Sequence, residues 1–429
     1  MLATLIPRLR YGIFAGTNTW HEWWIAFRAL ARMERPDQES VIRQYERAFA
    51  DSADVKHAIS FGAGRMALYA ILEALNVGPD DEVIIPGYTC VVVPNAVIYR
   101  GAKPVYSDIE LRTFNQIPAK IESLITPRTR AIVAQHTFGV PCDLDAIIRI
   151  GEKYRIPVIE DCGHAQGARY KGKPVGSIGY AGFFTTDHTK VSSTHLGGMV
   201  TTNSEDLAGR VRRIQNEAGF LKRQDHVRLL LSFLLEFIFY SPAVYWIGRP
   251  VLAILSRLRI LFYWRDELLT RRPVSYPYPA RLSAQQAAIG LSQLQKLDHN
   301  ISHRRSIARM LDKKLGWSGL STPELEVSAC LRYSFLVKDR AVFEAKYRKQ
   351  FNFGIWFTSV AHGRNHNLDE IDYRQGSCPN AEFASKHIVN FPTHQRIPLT
   401  VIGKIVERDG GWISRQLIRT AMSAEGIAA

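Results

Sequence analysis

The sequence predicts an α/β protein, and three observations carry that prediction. From Val41 to Thr400 short apolar, strand-like runs alternate with helical patterns. A content of 46% hydrophobic and 22% charged residues over 429 positions suffices for a large core in two or three domains. Polar and aromatic residues gather just beyond the runs, where ligands collect in such sheets.

In order, strands are expected at Val55 to Ser60, Glu82 to Ile85, Lys103 to Tyr106, Ala131 to Gln135, Pro157 to Glu160, Gly182 to Thr185 and Gly198 to Thr202. Helices fit between most of them. Gly64 to Leu75 follows a run of small residues, and Leu144 to Tyr154 is a second example. The chain divides into a basic, Trp-rich leader (1–40), a large domain (41–299) and a smaller C-terminal domain (300–429) whose last twenty or so residues look frayed.

The formal charge of +15 implies affinity for anions. No nucleic-acid-binding motif accompanies it, so anionic small molecules or acidic lipid headgroups are the expected partners. Five scattered cysteines without CxxC spacing suggest neither a disulfide framework nor a zinc site, which fits a reducing cytosol. Arg8, Arg10 and Tyr11 interrupt the apolar opening stretch, and no secretory signal emerges. A cytoplasmic address is expected, with the inner face of the cytoplasmic membrane as its more specific form.

The most informative pair is Asp161, delivered to the end of a strand, and Lys190 in the connection after a later one. A carboxylate at a buried strand tip and a nearby amine are what pyridoxal phosphate requires. The amine forms a Schiff base with the aldehyde, and the acid keeps the pyridine nitrogen protonated. Around Gly64 and Arg65, free amides at a helix start face an anion, and Thr185 adds a hydroxyl. His136, at a strand end, is either a ligand contact or a hydrogen-bonded structural histidine; His188 and His195 flank the lysine without an assigned role. Cys162 reads as a small buried residue.

The segments GPDDEVIIPGYTCVVVPNAVIYRGAKPVYSDIE, EDCGHAQGARYKGKPVGSIG, HLGGMVTT and ARLSAQQAAIGLSQLQKLD together resemble the DegT/DnrJ/EryC1/StrS family. The resemblance implies a pyridoxal-phosphate aminotransferase of fold type I, with a large, mostly parallel mixed sheet, a smaller C-terminal α+β domain, and two subunits per functional unit. It makes Lys190 the catalytic lysine, Asp161 the partner of the pyridine nitrogen, His164 a neighbour of the ring oxygen and Tyr88 the stacking aromatic. Gly64, Arg65 and Thr185 become the phosphate cradle, and Arg281 a substrate contact. The amino donor it implies is glutamate and the acceptor a keto sugar on a nucleotide or lipid carrier. A sugar dehydratase on the same scaffold, or a non-catalytic binding protein, are the alternatives; the lysine argues against the former. The chain departs from the pattern in three places. Arg65 replaces a Thr, Leu196 stands where many members carry Glu, and Pro279 replaces an Asn.

The resemblance does not explain an insertion from Lys222 to Arg272. Its apolar runs are edged by Arg and interrupted by Glu236, Pro242 and Pro250. A spanning helix needs about 20 consecutive apolar residues, so two apolar helices broken near both prolines are expected instead. They either lie in a membrane interface or pack as a hairpin on the protein.

Overall fold

The computed structural model describes residues 9–32, 38–263, 272–315 and 322–419. Of the last twenty or so residues expected to fray, those up to Gln416 instead complete the helix Leu399–Gln416, while 420–429, like the part of the insertion at 264–271 with Arg265 and Arg271, lie outside that range.

Seven strands form the central sheet: β1 (His57–Phe61), β2 (Glu82–Pro86), β3 (Lys103–Ser107), β4 (Thr129–Gln135), β5 (Val158–Asp161), β6 (Ala181–Thr185) and β7 (Gly198–Thr202). Their order across the sheet is β1-β7-β6-β5-β4-β2-β3. The five strands from β6 to β3 are mutually parallel; β7 runs antiparallel to both β6 and β1. Both faces are covered, which is why Val83, Ile84, Ile85, Ile132, Val133, Ala134 and Ile159 are all fully buried. The expected strands match these within one or two residues, and the helices Gly64–Ala74 and Leu144–Tyr154 lie where the pattern put them.

Register decides what shares the edge of the sheet. Phe61 pairs with Gly198, Gly198 with Thr185, Phe183 with Asp161, and Asp161 with Gln135. One rim therefore carries the start of helix Gly64–Ala74, Thr185, Asp161 and His136. Gly198 allows β7 to approach the turn before that helix, because a Cβ there would lie 2.3 Å from the Ala63 carbonyl oxygen.

Beyond the sheet, Ser283 and Gln286 form a reciprocal capping box on the helix Ala284–Gln295, a device worth about 1 kcal/mol. The antiparallel strands Arg332–Leu336 and Ile388–Pro392 pair in a second sheet, and the helix Leu399–Gln416 packs on Leu297–Leu315. Asp108, just past β3, accepts hydrogen bonds from the Asn380 and Ala381 amides at the start of Pro379–His387, tying the C-terminal part to the sheet.

The insertion forms two helices, Arg223–Phe239 and Tyr245–Arg257. The chain turns around Pro242, but Pro250 lies inside the second helix and does not break it, which corrects the expectation of two breaks. As the sixth residue of the helix it removes one backbone hydrogen bond, and its ring crowds the carbonyl one turn earlier. The first helix buries Leu229, Leu230, Phe233, Leu234 and Phe237 against its own subunit. The second buries only Tyr245, Gly248 and Leu252. No described helix is long and apolar enough to cross a membrane.

Candidate active site

Lys190 sits in a loop from Thr186 to Gly197 that closes on itself. The Thr186 amide donates to Gly197, the Thr194 amide to Thr186 (both 2.9 Å), and the two threonine hydroxyls meet at 2.7 Å. The Asp187 side chain accepts from the Thr189 amide and hydroxyl, holding the turn that presents the lysine. Lys190 is half-buried, its amine 4.5 Å from the centre of the Trp356 ring. Removal from water lowers its pKa, against the attraction of Asp187, Cys90 and Asp161.

Asp161 is almost wholly buried, and one carboxylate oxygen accepts from the Gly163 amide at 2.9 Å. Burial pushes its pKa up to about 6, while the Gly163 amide, Lys190 and His136 pull it down. Asp161 and Lys190 thus act on each other in one electrostatic field. His164 stacks between Phe138 and Trp356, its ring 5.8 Å and 5.3 Å from theirs. Its Nδ1 accepts from the Phe138 amide at 3.2 Å, which places the proton on Nε2. Burial, then Lys190 and Arg332, hold its pKa well below the ordinary value. Tyr88 is fully buried among Phe114, Phe138 and Phe357, and its hydroxyl meets the Phe357 backbone at 3.1 Å.

The residues fit pyridoxal phosphate. Ala63, at the cap position of helix Gly64–Ala74, offers no side chain to the first-turn amides, so an anion can take them. Thr185 abuts this turn closely enough that a Cβ on Gly64 would lie 2.6 Å from its own Cβ. Arg65 is half-buried beside it, and Arg65 and Lys190 both lower the pKa of Asp187. A desolvated carboxylate at Asp161 suits a protonated ring nitrogen.

Two expected contacts are not brought to the lysine. His136 is sealed from solvent: its Nε2 faces Glu160 at 3.1 Å, and its Nδ1 accepts from the Cys142 amide at 3.1 Å. With both nitrogens occupied it holds Glu160, which in turn accepts from the Gly176, Ile178 and Gly179 amides. That corrects the reading of His136 as a substrate contact. Arg281 pairs with Glu39 and lies 4.5 Å over the Phe220 ring, so within one chain it does not reach Lys190.

Other residues join the site without having been expected there. A small cavity beside Lys190 is lined by Arg332, Arg304 and His394, and by Ile13 and Gly16 from the leader. Arg332 is almost fully buried and lies 4.0 Å over the Trp356 ring; its Nη1 donates to the Phe353 and Gly354 carbonyls, but its Nη2 has no partner. Burial lowers its pKa to about 9. The signal available was an arginine within the apolar strand RYSFL.

Comparison with known proteins agrees with this geometry. The family model for the DegT/DnrJ/EryC1/StrS aminotransferase family matches residues 25–233 and 260–408. GDP-perosamine synthase of Caulobacter vibrioides is 35% identical over 294 residues, covering 68% of this chain and 67% of that protein. L-glutamine:2-deoxy-scyllo-inosose aminotransferase of Micromonospora echinospora is 35% identical over 283 residues, covering 66% and 59%. Among solved structures, an aminotransferase from Psychrobacter cryohalolentis superposes with a TM-score of 0.71 at 24% identity, covering 93% of this chain and 98% of that one. With a cofactor cradle, a buried acid and a lysine on one rim of a mostly parallel sheet, the chain belongs to the DegT/DnrJ/EryC1/StrS aminotransferase family and is a pyridoxal-phosphate-dependent aminotransferase.

Proposed function

We propose that the chain moves an amino group from an amino-acid donor, glutamate, to the keto carbon of a sugar carried on a nucleotide or lipid, in the making of a surface polysaccharide or glycolipid. The carrying observation is geometric: Lys190 shares a cavity with a buried guanidinium that has a free nitrogen, and Asp161 is buried at the adjoining rim of the sheet. The sugar-acting names of the relatives support the acceptor class. Bound pyridoxal phosphate supplies an electron sink for bond breaking at the amino-bearing carbon.

The chain's own residues do the rest. Lys190 holds the aldehyde and carries the proton to and from the reacting carbon, a role its lowered pKa favours near neutral pH. Asp161 accepts the hydrogen bond of the ring nitrogen, and neutral His164 donates through Nε2 toward the ring oxygen. Tyr88 packs against the ring, while Gly64, Arg65 and Thr185 take the phosphate. Arg332 binds the donor's carboxylate through its unpartnered Nη2. In this reading the working form is a homodimer, with Arg281 serving the shared boundary.

Glutamate added to the cofactor-loaded protein should bleach the visible absorbance of the lysine–cofactor link. Arg332→Gln should raise the glutamate concentration needed by about 10- to 100-fold, the value of a charge-assisted hydrogen bond, and leave the acceptor half-reaction unaltered. Bleaching by glutamine alone would move the donor assignment, and no bleaching by any amino donor would reject the reading.

We also infer a peripheral membrane contact through residues 222–272. Trp246, Ile247, Ile254 and Leu258 form an exposed apolar stripe on Tyr245–Arg257, edged by exposed Arg249, Arg257 and Arg259 and free of acidic residues. In flotation with vesicles rich in anionic lipid, the protein should rise with them. Trp246→Glu combined with Ile254→Glu should leave it in the soluble fraction; equal recovery of both forms would remove this anchor.

A further inference from the structure

The inner helix of the insertion carries a carboxylate where none is needed for packing. Glu236 is 1% exposed on its side chain, in the middle of the otherwise apolar FLLEFIF. Its Oε2 lies 2.8 Å from His188 Nδ1 and 3.5 Å from His195 Nδ1, and its Oε1 accepts from the Tyr263 hydroxyl at 2.6 Å. His188 and His195 are the two histidines that flank Lys190 in its loop. A buried carboxylate is costly unless it is paired, so its position demands an explanation in terms of what it holds.

What it holds is the lysine loop. His195 has φ 73°, a left-handed conformation that favours glycine, and its ring is enclosed by Phe233 and Tyr263 as well as His188. The His188 carbonyl accepts from the Ala15 amide, and Phe14 packs on its ring at 4.8 Å. The inner helix is itself fastened by Trp23, whose Nε1 donates to Leu234, and by Arg396, which donates to Phe237.

We propose that Glu236, carried by the insertion, is a positioning residue for Lys190 that acts through His188 and His195. This rests on the reading of Lys190 as the cofactor-binding lysine. The insertion is then part of the catalytic centre on its inner side, and whatever moves the inner helix moves the lysine loop.

The groups facing His188 are Asp187, Lys190 and His195 on its own loop, Glu236 from the inner helix and Tyr263 at the far end of the insertion. Burial would lower the pKa of His188, but Asp187 and Glu236 raise it to about 9. A histidine raised in this way is fully charged, and the pair intact, below its ordinary value of 6.5; the pair is lost as pH rises through about 9.

The test compares Glu236→Gln with the parent protein in the cofactor-loaded form, reading the pH titration of the visible lysine–cofactor absorbance and the pH profile of kcat. The parent should show an alkaline limb near pH 9. In Glu236→Gln that limb should move at least one pH unit toward neutral, and kcat at pH 8 should fall about tenfold with the KM for glutamate little changed. His188→Gln, which removes the titrating group, should abolish the limb, whereas Tyr263→Phe should retain it. A Glu236→Gln protein that melts at lower temperature but keeps both profiles unmoved would make Glu236 merely structural and overturn the proposal. If Glu236→Gln does not fold, an unaltered limb in His188→Gln overturns it equally. Absence of a visible band in the parent would instead defeat the assignment of Lys190.

Discussion

Lys190→Ala will lose the visible absorbance of the lysine–cofactor link and will turn over at least about 10⁴-fold more slowly than the parent protein. Two losses fall on one atom. In the proposed reading the ε-amine bonds the aldehyde and is also the acid and base that moves the proton on the donor and acceptor carbons. Its environment suits both tasks, since removal from water lowers its pKa and leaves more of it unprotonated near neutral pH. Nothing else in the cavity substitutes for it: Arg332 and Arg304 hold their protons, with pKa values lowered only to about 9 and 10, and His394 lies at about 3. Truncation should leave the fold intact, because the loop is closed by Thr186, Thr194 and Asp187 rather than by the lysine. The measurements are an absorbance spectrum, a single-turnover assay and a melting curve. A retained visible band in this variant would reassign the lysine.

What could be read before folding follows a physical divide. β2, β4 and β5 are buried on both faces, so their apolar runs announce themselves, and the residue that ends such a run must meet the loops at the sheet rim. Asp161 was legible for that reason; Lys190, in the loop after β6, was legible only through its pairing with Asp161 and the motif around it. Arg332 and Trp356 were not: both come from the C-terminal part, and only the tertiary fold lays the guanidinium over the indole and the indole beside the lysine. Glu236 looked like an interruption of an apolar run, and its role depends on two histidines far away in the chain. For His136 two roles stood open, and the structural one fits its surroundings. A histidine at a strand end suggests a ligand contact, but Glu160, its neighbour across the strands, takes the ring nitrogen first.

The insertion illustrates how one segment satisfies two readings. Its inner helix packs on its own subunit, as the hairpin alternative held, through Leu229, Phe233 and Phe237. Its outer helix turns Trp246 and Ile254 to solvent, as an interfacial segment would. Helical periodicity alone could not separate them, because an apolar helix face reads the same whether protein or lipid covers it, and the deciding partners lie outside the insertion.

Asp161→Asn should be slower by about three orders of magnitude, or about 4 kcal/mol of lost transition-state stabilisation, while its cofactor-free form is more stable than the parent at neutral pH. Both effects come from the same desolvation. Burial raises the Asp161 pKa from its ordinary 3.8 to about 6, so ionising it in the folded chain costs more than in the unfolded one. For a carboxylate raised in this way, folding is favoured below about pH 4 and loses that advantage as pH rises through about 6. At 1.36 kcal/mol per pH unit, the parent carries a burden of about 3 kcal/mol at pH 7 that a neutral amide of the same shape escapes. The protonated ring nitrogen is what relieves the burden, so the cofactor should stabilise the parent far more than the variant. Melting curves of both proteins at pH 4 and pH 7, each with and without cofactor, separate the terms. The variant's advantage should appear only at pH 7 and only without cofactor. An Asn variant less stable than the parent under those conditions would mean that Asp161 is already compensated by its neighbours and is not held ready for a cation.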